Sequence, residues 1–138
     1  MNVDVIMTTG VCSVGMDDTV IAVRELLDSK PFHHLLVMDE GRLVGILSDR
    51  DVLRATSPFF GTRDENVRDE SLMHRRVHQI MTRNPRTIPP DTPLRAAGEI
   101  MVTHRISCLP VVSDDDGIHT LEGLITSRDL LQYYLDGF

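Results

Sequence analysis

GILSDRD at Gly45–Asp51 and GLITSRD at Gly123–Asp129 are two versions of one phrase, 78 residues apart. Each begins in a short apolar run of the kind that forms a buried strand. Each ends in Ser-x-x-Asp or Thr-x-x-Asp, the capping-box pattern that opens a helix by satisfying its free N–H groups. A strand that runs straight into a helix, twice, implies a duplicated unit. The flanking sequence agrees. Ile6-Met7-Thr8 recurs as Ile80-Met81-Thr82, Asp18-Thr19 as Asp91-Thr92, and Phe32–Val37 aligns with Ile106–Val111, all at offsets near 74 residues. A repeat this long is a whole supersecondary unit rather than a solenoid repeat.

Within each copy the same elements are predicted. Val11–Val14 and Arg86–Ile88 are short β-prone segments. A capping signal follows, at Thr19 in one copy and at Asp91/Thr92 in the other. Helical spacing comes next, through Val20, Val23 and Leu27 and through Leu94, Ala97 and Met101. Leu35–Met38 and Leu109–Val112 read as strands buried on both faces. Turns at Asp39–Gly41 and Asp114–Gly117 lead to returning strands at Leu43–Leu47 and Leu121–Ile125, then closing helices at Asp49–Arg54 and Arg128–Tyr134. The fold class is α/β, with the order β-α-β-β-α in each copy. The units fall at residues 1–55 and 77–138, joined by a polar connector at 56–76. One such sheet alone leaves an apolar face bare, so the two units are expected to pack as a pseudo-two-fold pair.

The duplicated Ile-Met-Thr opening, the apolar Leu-Pro-Val-Val strand and the Gly-to-Asp ending resemble a tandem pair of cystathionine-β-synthase (CBS) domains, a Bateman-type module. Ser57-Pro58-Phe59 and the stretch His74–Met81 are further similar to the accessory CBS proteins of acetoin utilisation. The resemblance implies a non-catalytic regulatory sensor that requires no cofactor. Its ligand would contain adenosine, as AMP, ADP, ATP or S-adenosylmethionine do, and would lie in the cleft between the units. It also implies a homodimer, and regulation of an unknown partner protein in trans.

By this resemblance, Ser48 and Asp51 in one copy and Thr126 and Asp129 in the other hold the ligand's ribose. The residues themselves fit either role. A carboxylate can accept from a ribose diol, and the same Ser/Thr-x-x-Asp pattern can simply cap a helix. Arg50 and Arg128 are either solvated charges or phosphate contacts. His33 and His34 precede the strand at a position where related pairs place basic residues on phosphates, and they could equally pack at a strand edge. The second copy has Ser107 and Cys108 there, so the two sites are expected to differ. The alternative function is a ligand-free interaction scaffold whose capping boxes are only caps.

Composition excludes other classes. Fourteen basic and 21 acidic residues give a net charge of −7 and a pI near 5.2, which opposes binding to DNA or an anionic membrane. Thirteen of the basic residues are arginine. Six aromatic residues, with no Trp, supply little for stacking on single-stranded nucleic acid. No apolar run approaches the roughly 20 residues of a membrane span, and the N-terminus lacks a signal peptide's pattern, so a cytoplasmic protein is expected. The six histidines and two cysteines lack zinc spacing, and no metal is expected. Cys108 near His104 invites a nucleophile–base reading, but Cys108 opens an apolar strand, and no nucleophile elbow or phosphate loop is present. Apolar helix faces around Val20–Leu27 and Leu94–Met101 are expected to be partly bare and to drive dimerisation.

Overall fold

The computed structural model describes residues 1–29, 33–56 and 74–137. Most of the predicted connector, with Ser57-Pro58-Phe59, lies outside the described residues. The first copy contains β1 (Ser13–Gly15), α1 (Val20–Ser29), β2 (His34–Asp39), β3 (Arg42–Ser48) and α2 (Asp49–Ala55). A 3₁₀ turn at Val77–Gln79 and β4 (Thr82–Arg83) follow. The second copy continues with α3 (Leu94–His104), β5 (Cys108–Asp115), β6 (Ile118–Thr126) and α4 (Ser127–Asp136). The predicted β-α-β-β-α order is present in the first copy, and its α-β-β-α part in the second.

Contacts divide the chain into two compact units: Cys12–Asn84, and Met1–Val11 together with Pro85–Phe138. These units cut across the sequence repeats. Each keeps the helices and hairpin of one copy and takes the Ile-Met-Thr arm of the other. In the unit Cys12–Asn84 the sheet order is β1-β2-β3-β4, with β1 parallel to β2 and the other pairs antiparallel. In the other unit β5 and β6 form the hairpin, and the flanking positions shrink to single bridges, Ile88 with Val111 and Thr8 with Leu124. The predicted strand at Arg86–Ile88 is therefore one bridge. Pro89 and Pro90 follow Ile88, and proline has no N–H to extend a ladder. Both hairpins turn through two residues of positive φ, Glu40-Gly41 and Asp116-Gly117, as tight turns require.

The arms make matching bonds. Val20 N–H donates to the Arg75 carbonyl (2.8 Å) and Leu94 N–H to the Met1 carbonyl (3.0 Å). Val77 N–H donates to Asp18 (2.8 Å) and Val3 N–H to Thr92 (2.9 Å). Each helix thus receives a backbone acceptor from an arm. At α1 the Thr19 hydroxyl also accepts from Ala22 N–H (3.3 Å), as the sequence suggests. At α3 the predicted Asp91/Thr92 side-chain cap is absent. Pro93 holds the cap position without a side-chain bond, and the Thr92 hydroxyl donates to the Pro89 carbonyl instead.

Each unit has its own core. Val20, Val23, Leu35, Val37, Leu47, Val52, Ala55 and the arm residue Val77 form one; Ile88, Ala97, Met101, Leu109, Val111, Ile125 and the arm residue Val3 form the other. Leu35, Leu36 and Val37 are buried in succession, as in a strand covered on both faces. Of the helix stretches expected to be partly bare, Val20, Val23, Ala97 and Met101 are buried in these cores, whereas Leu26, Leu27, Leu94 and Ile100 are half-buried. Exposed apolar side chains include Leu53, Val102, Leu131, Tyr134 and Leu135.

The glycines of the two signature phrases admit the arms. A Cβ on Gly123 would stand 2.7 Å from the Thr8 carbonyl oxygen and 2.8 Å from Met7 Sδ. A Cβ on Gly45 would run into Met81 Sδ. The Met of each Ile-Met-Thr triplet therefore needs the glycine of the opposite copy.

Candidate functional site

The strand-to-helix junctions form complete capping boxes in both copies. Asp51 N–H donates to Ser48 Oγ (3.1 Å) and Ser48 N–H to Asp51 Oδ2 (2.9 Å). Asp129 N–H donates to Thr126 Oγ1 (3.1 Å) and Thr126 N–H to Asp129 Oδ2 (2.9 Å). The boxes are half-buried and superimposable in their bonding. Each carboxylate uses one oxygen as a cap, and its Oδ1 makes no hydrogen bond among the described residues. A fixed, half-buried carboxylate with a spare oxygen, beside a hydroxyl and a helix start, can accept hydrogen bonds from a diol.

The surroundings of the boxes differ. His34 pairs with Ser48 across β2 and β3, and Cys108 pairs with Thr126 across β5 and β6. Burial pushes the His34 imidazole below its ordinary pKa, against the opposing pull of Asp49. His34 is thus held toward its neutral form, which donates from only one ring nitrogen. His33 is exposed, and its Nδ1–H donates to Asp49 Oδ2 (3.1 Å). That bond, followed by the Arg50 backbone N–H, holds the Asp49 carboxyl below the usual carboxylate range. In the other unit, burial with the charge of Asp129 pushes the Cys108 thiol up to about 12. A thiol held protonated is a poor nucleophile, so this environment disfavours the catalytic reading of Cys108.

Arg50 and Arg128 sit in the first turns of α2 and α4, exposed, and their side chains make no ion pair or hydrogen bond among the described residues. The structure therefore gathers His33, His34, Ser48, Arg50 and Asp51 at one junction, and Thr126, Arg128 and Asp129 beside Cys108 at the other. Sequence reasoning passed over Asp49, the partner of His33. The available signal was its place in the motif, where the second copy has uncharged Ser127. Among the described residues no cluster of His, Cys, Asp or Glu could hold a metal ion, and no helix is long and apolar enough to cross a membrane. An open depression of about 630 Å³, bordered by Ile88, Asp91, Ser113, Asp114 and His119, contains none of the motif residues.

A family model described as CBS domain matches residues 3–57 and again 77–136. The chain is 35% identical over 128 residues to a CBS domain-containing protein of Dictyostelium discoideum, covering 91% of this chain and 86% of that one. It spans between 19% and 43% of several longer relatives. Among solved structures, AcuB of Vibrio cholerae shares the fold, with a TM-score of 0.77 at 23% identity over 99% of this chain and 91% of that one. The CBS domain pair of protein MJ0100, in complex with 5′-methylthioadenosine and S-adenosyl-L-methionine, has a TM-score of 0.76 at 25% identity, covering 97% of this chain and 99% of that one. The cytosolic domain of the Mg²⁺ channel MgtE, in complex with ATP, has a TM-score of 0.70 at 28% identity, covering 93% of this chain and 46% of that one.

Proposed function

The chain belongs to the CBS domain family with two copies in tandem, and from that premise we propose that it is a non-catalytic sensor of adenosine-containing ligands. Ser48 with Asp51, and Thr126 with Asp129, hold the ribose of such a ligand. Arg50 and Arg128 reach toward its phosphates where it has them, and His33 and His34 modulate the first site. One observation carries this reading. Both capping boxes are complete, and in both the aspartate keeps an oxygen beyond what the cap consumes. The ligands of MJ0100 and MgtE share the adenine nucleoside, with a sulfur substituent at its 5′ position in one protein and phosphates in the other. The common recognition element is therefore the nucleoside, which suits a carboxylate that reads a diol.

The sensor needs no resident cofactor and acts in trans on a partner protein, as a cytoplasmic homodimer. Exposed Val102, Leu131 and Leu135 provide apolar helix surface for such contacts. The second reading is a scaffold without ligand, favoured by the fact that each box already satisfies its own hydroxyl and one carboxylate oxygen. Thermal unfolding with AMP, ADP, ATP, S-adenosylmethionine and 5′-methylthioadenosine separates the two. A ligand that binds only the folded state raises the midpoint with the logarithm of its concentration over Kd. No shift with any of the five leaves the scaffold.

A further inference from the structure

The arm of the second copy carries charge that the arm of the first does not. Residues 74–90 contain Arg75, Arg76, Arg83 and Arg86 with His74 and His78, and no acidic residue, in a chain of net charge −7. At the positions matching Arg75, His78 and Arg83 the first arm has Met1, Asp4 and Thr9. Both arms nevertheless make the same backbone bonds. His78 N–H donates to Met16 (3.0 Å) and Asp4 N–H to Pro90 (3.4 Å), alongside the pairs at Val77 and Val3. The first arm is an internal control. It docks without arginine; Arg76 Nη1 does reach across to the Asp17 carbonyl (2.8 Å), but Arg75 and Arg83 bond only within their own arm, so docking does not explain those two.

Their placement is specific. Arg83 Nη2 donates to the His78 carbonyl (3.1 Å), and Arg75 Nη2 donates to the Gln79 carbonyl (3.4 Å). These carbonyls belong to consecutive residues, whose Cα atoms lie about 3.8 Å apart. Two guanidinium groups are thereby brought to one end of the 3₁₀ turn. Neither forms an ion pair with a carboxylate among the described residues, where the ion pairs are His33–Asp49 and Arg95–Glu99. Each guanidinium has five N–H donors and commits one to its carbonyl, leaving the rest for an acceptor. Guanidinium groups anchored on neighbouring carbonyls, with donors to spare, match the several oxygens of a phosphate.

We propose that Arg75 and Arg83 form an oxyanion site on the unit Cys12–Asn84 that takes a phosphate group, separate from the two capping boxes. The source is either a free phosphate compound or the phosphates of a nucleotide, and the two are separable. The full-length chain is titrated with inorganic pyrophosphate by calorimetry. Wild type is expected to saturate. Arg75→Gln and Arg83→Gln should each weaken binding about tenfold, the loss of one charge-assisted contact. Arg83→Lys should fall between them and wild type, and Arg95→Gln, on an exposed arginine of α3, should change nothing. Asp51→Asn with Asp129→Asn should leave pyrophosphate binding intact, which keeps this site independent of the sensor reading. If ATP but not adenosine loses affinity in Arg83→Gln, the phosphates belong to a nucleotide. If neither changes, the ligand is a free phosphate compound. A wild type that fails to saturate, or arginine variants that melt as wild type does and bind equally well, would show that the arginines only cap the turn. If one glutamine variant fails to fold, the decision passes to the other together with Arg83→Lys: affinity equal to wild type in both overturns the site.

Discussion

Replacing Asp51 or Asp129 by Asn separates a helix cap from a ribose contact. In each box one aspartate oxygen accepts a backbone N–H at 2.9 Å. The carbonyl of an asparagine can occupy the same place, so the cap loses its charge but keeps its bond. The stability cost should be about 0.5–1 kcal/mol. A ribose hydroxyl donating to the other oxygen is different, because a bond to a charged acceptor contributes about 1.5–3 kcal/mol. Affinity should therefore fall on the order of 10–100-fold at the altered site. At a ligand concentration of 100 Kd, wild type gains about 2.7 kcal/mol. A tenfold weaker site gains about 1.4 kcal/mol and a hundredfold weaker one about 0.4 kcal/mol by the same relation. The assay is thermal unfolding of wild type, both single variants and the double variant, each with and without AMP and ATP. The double variant should remain folded and lose its shift. Equal shifts in wild type and both single variants would place the ligand elsewhere and refute the site assignment.

Two further outcomes follow from the geometry. Gly123→Ala should destabilise by about 1–3 kcal/mol, because its new Cβ meets the Thr8 backbone. Gly45→Ala should be recovered better by Met81→Ala than Gly123→Ala is by Met7→Ala, since a side chain dominates the first clash; chemical denaturation of the four variants measures this. Stability should also decline as pH falls from about 6.5 toward the lowered pKa of His34, because burial lets the folded state take up a proton there less readily than the unfolded chain does. His34→Gln should flatten that part of the profile, and a decline unchanged by the substitution would contradict the assignment.

The hairpins, helices and capping boxes were legible because each is specified locally. Gly41 and Gly117 mark the turns, apolar spacing marks the helices, and Ser/Thr-x-x-Asp marks the junctions. What the sequence concealed is non-local. The bond from Leu94 N–H to Met1 O joins residues far apart in sequence, so the cap of α3 could not be read from Asp91 or Thr92. The exchange of arms was hidden for the same reason, although one signal was present: a glycine in an apolar strand often marks the close approach of another backbone. The sequence left His33 and His34 open to phosphate contact or strand-edge packing, and the local field differs at the two rings. Asp49 engages His33, whereas burial opposes the charge on His34. Adjacent residues of one type thus differ through contacts that neither residue specifies.

The exchange also bears on how a ligand could be sensed. On β6, Gly123 and Thr126 stand three residues apart, which is about 10 Å along a strand. The glycine fits against Met7 and Thr8, and the threonine closes the capping box. On β3, Gly45 and Ser48 have the same spacing, with Met81 and Thr82 at the glycine. Each strand therefore grips an arm at one point and presents a candidate ribose contact at another. The arm gripped by β6 runs through Val11 directly into Cys12, the first residue of the other compact unit. A change in β6 that altered its fit to Met7 would reach that unit along the chain itself. The glycine substitutions can detect such coupling. If the strand transmits ligand binding to the arm, Gly123→Ala should alter affinity at the Thr126 box as well as stability. If the glycine serves packing alone, stability should fall while the affinity of the folded fraction stays the same.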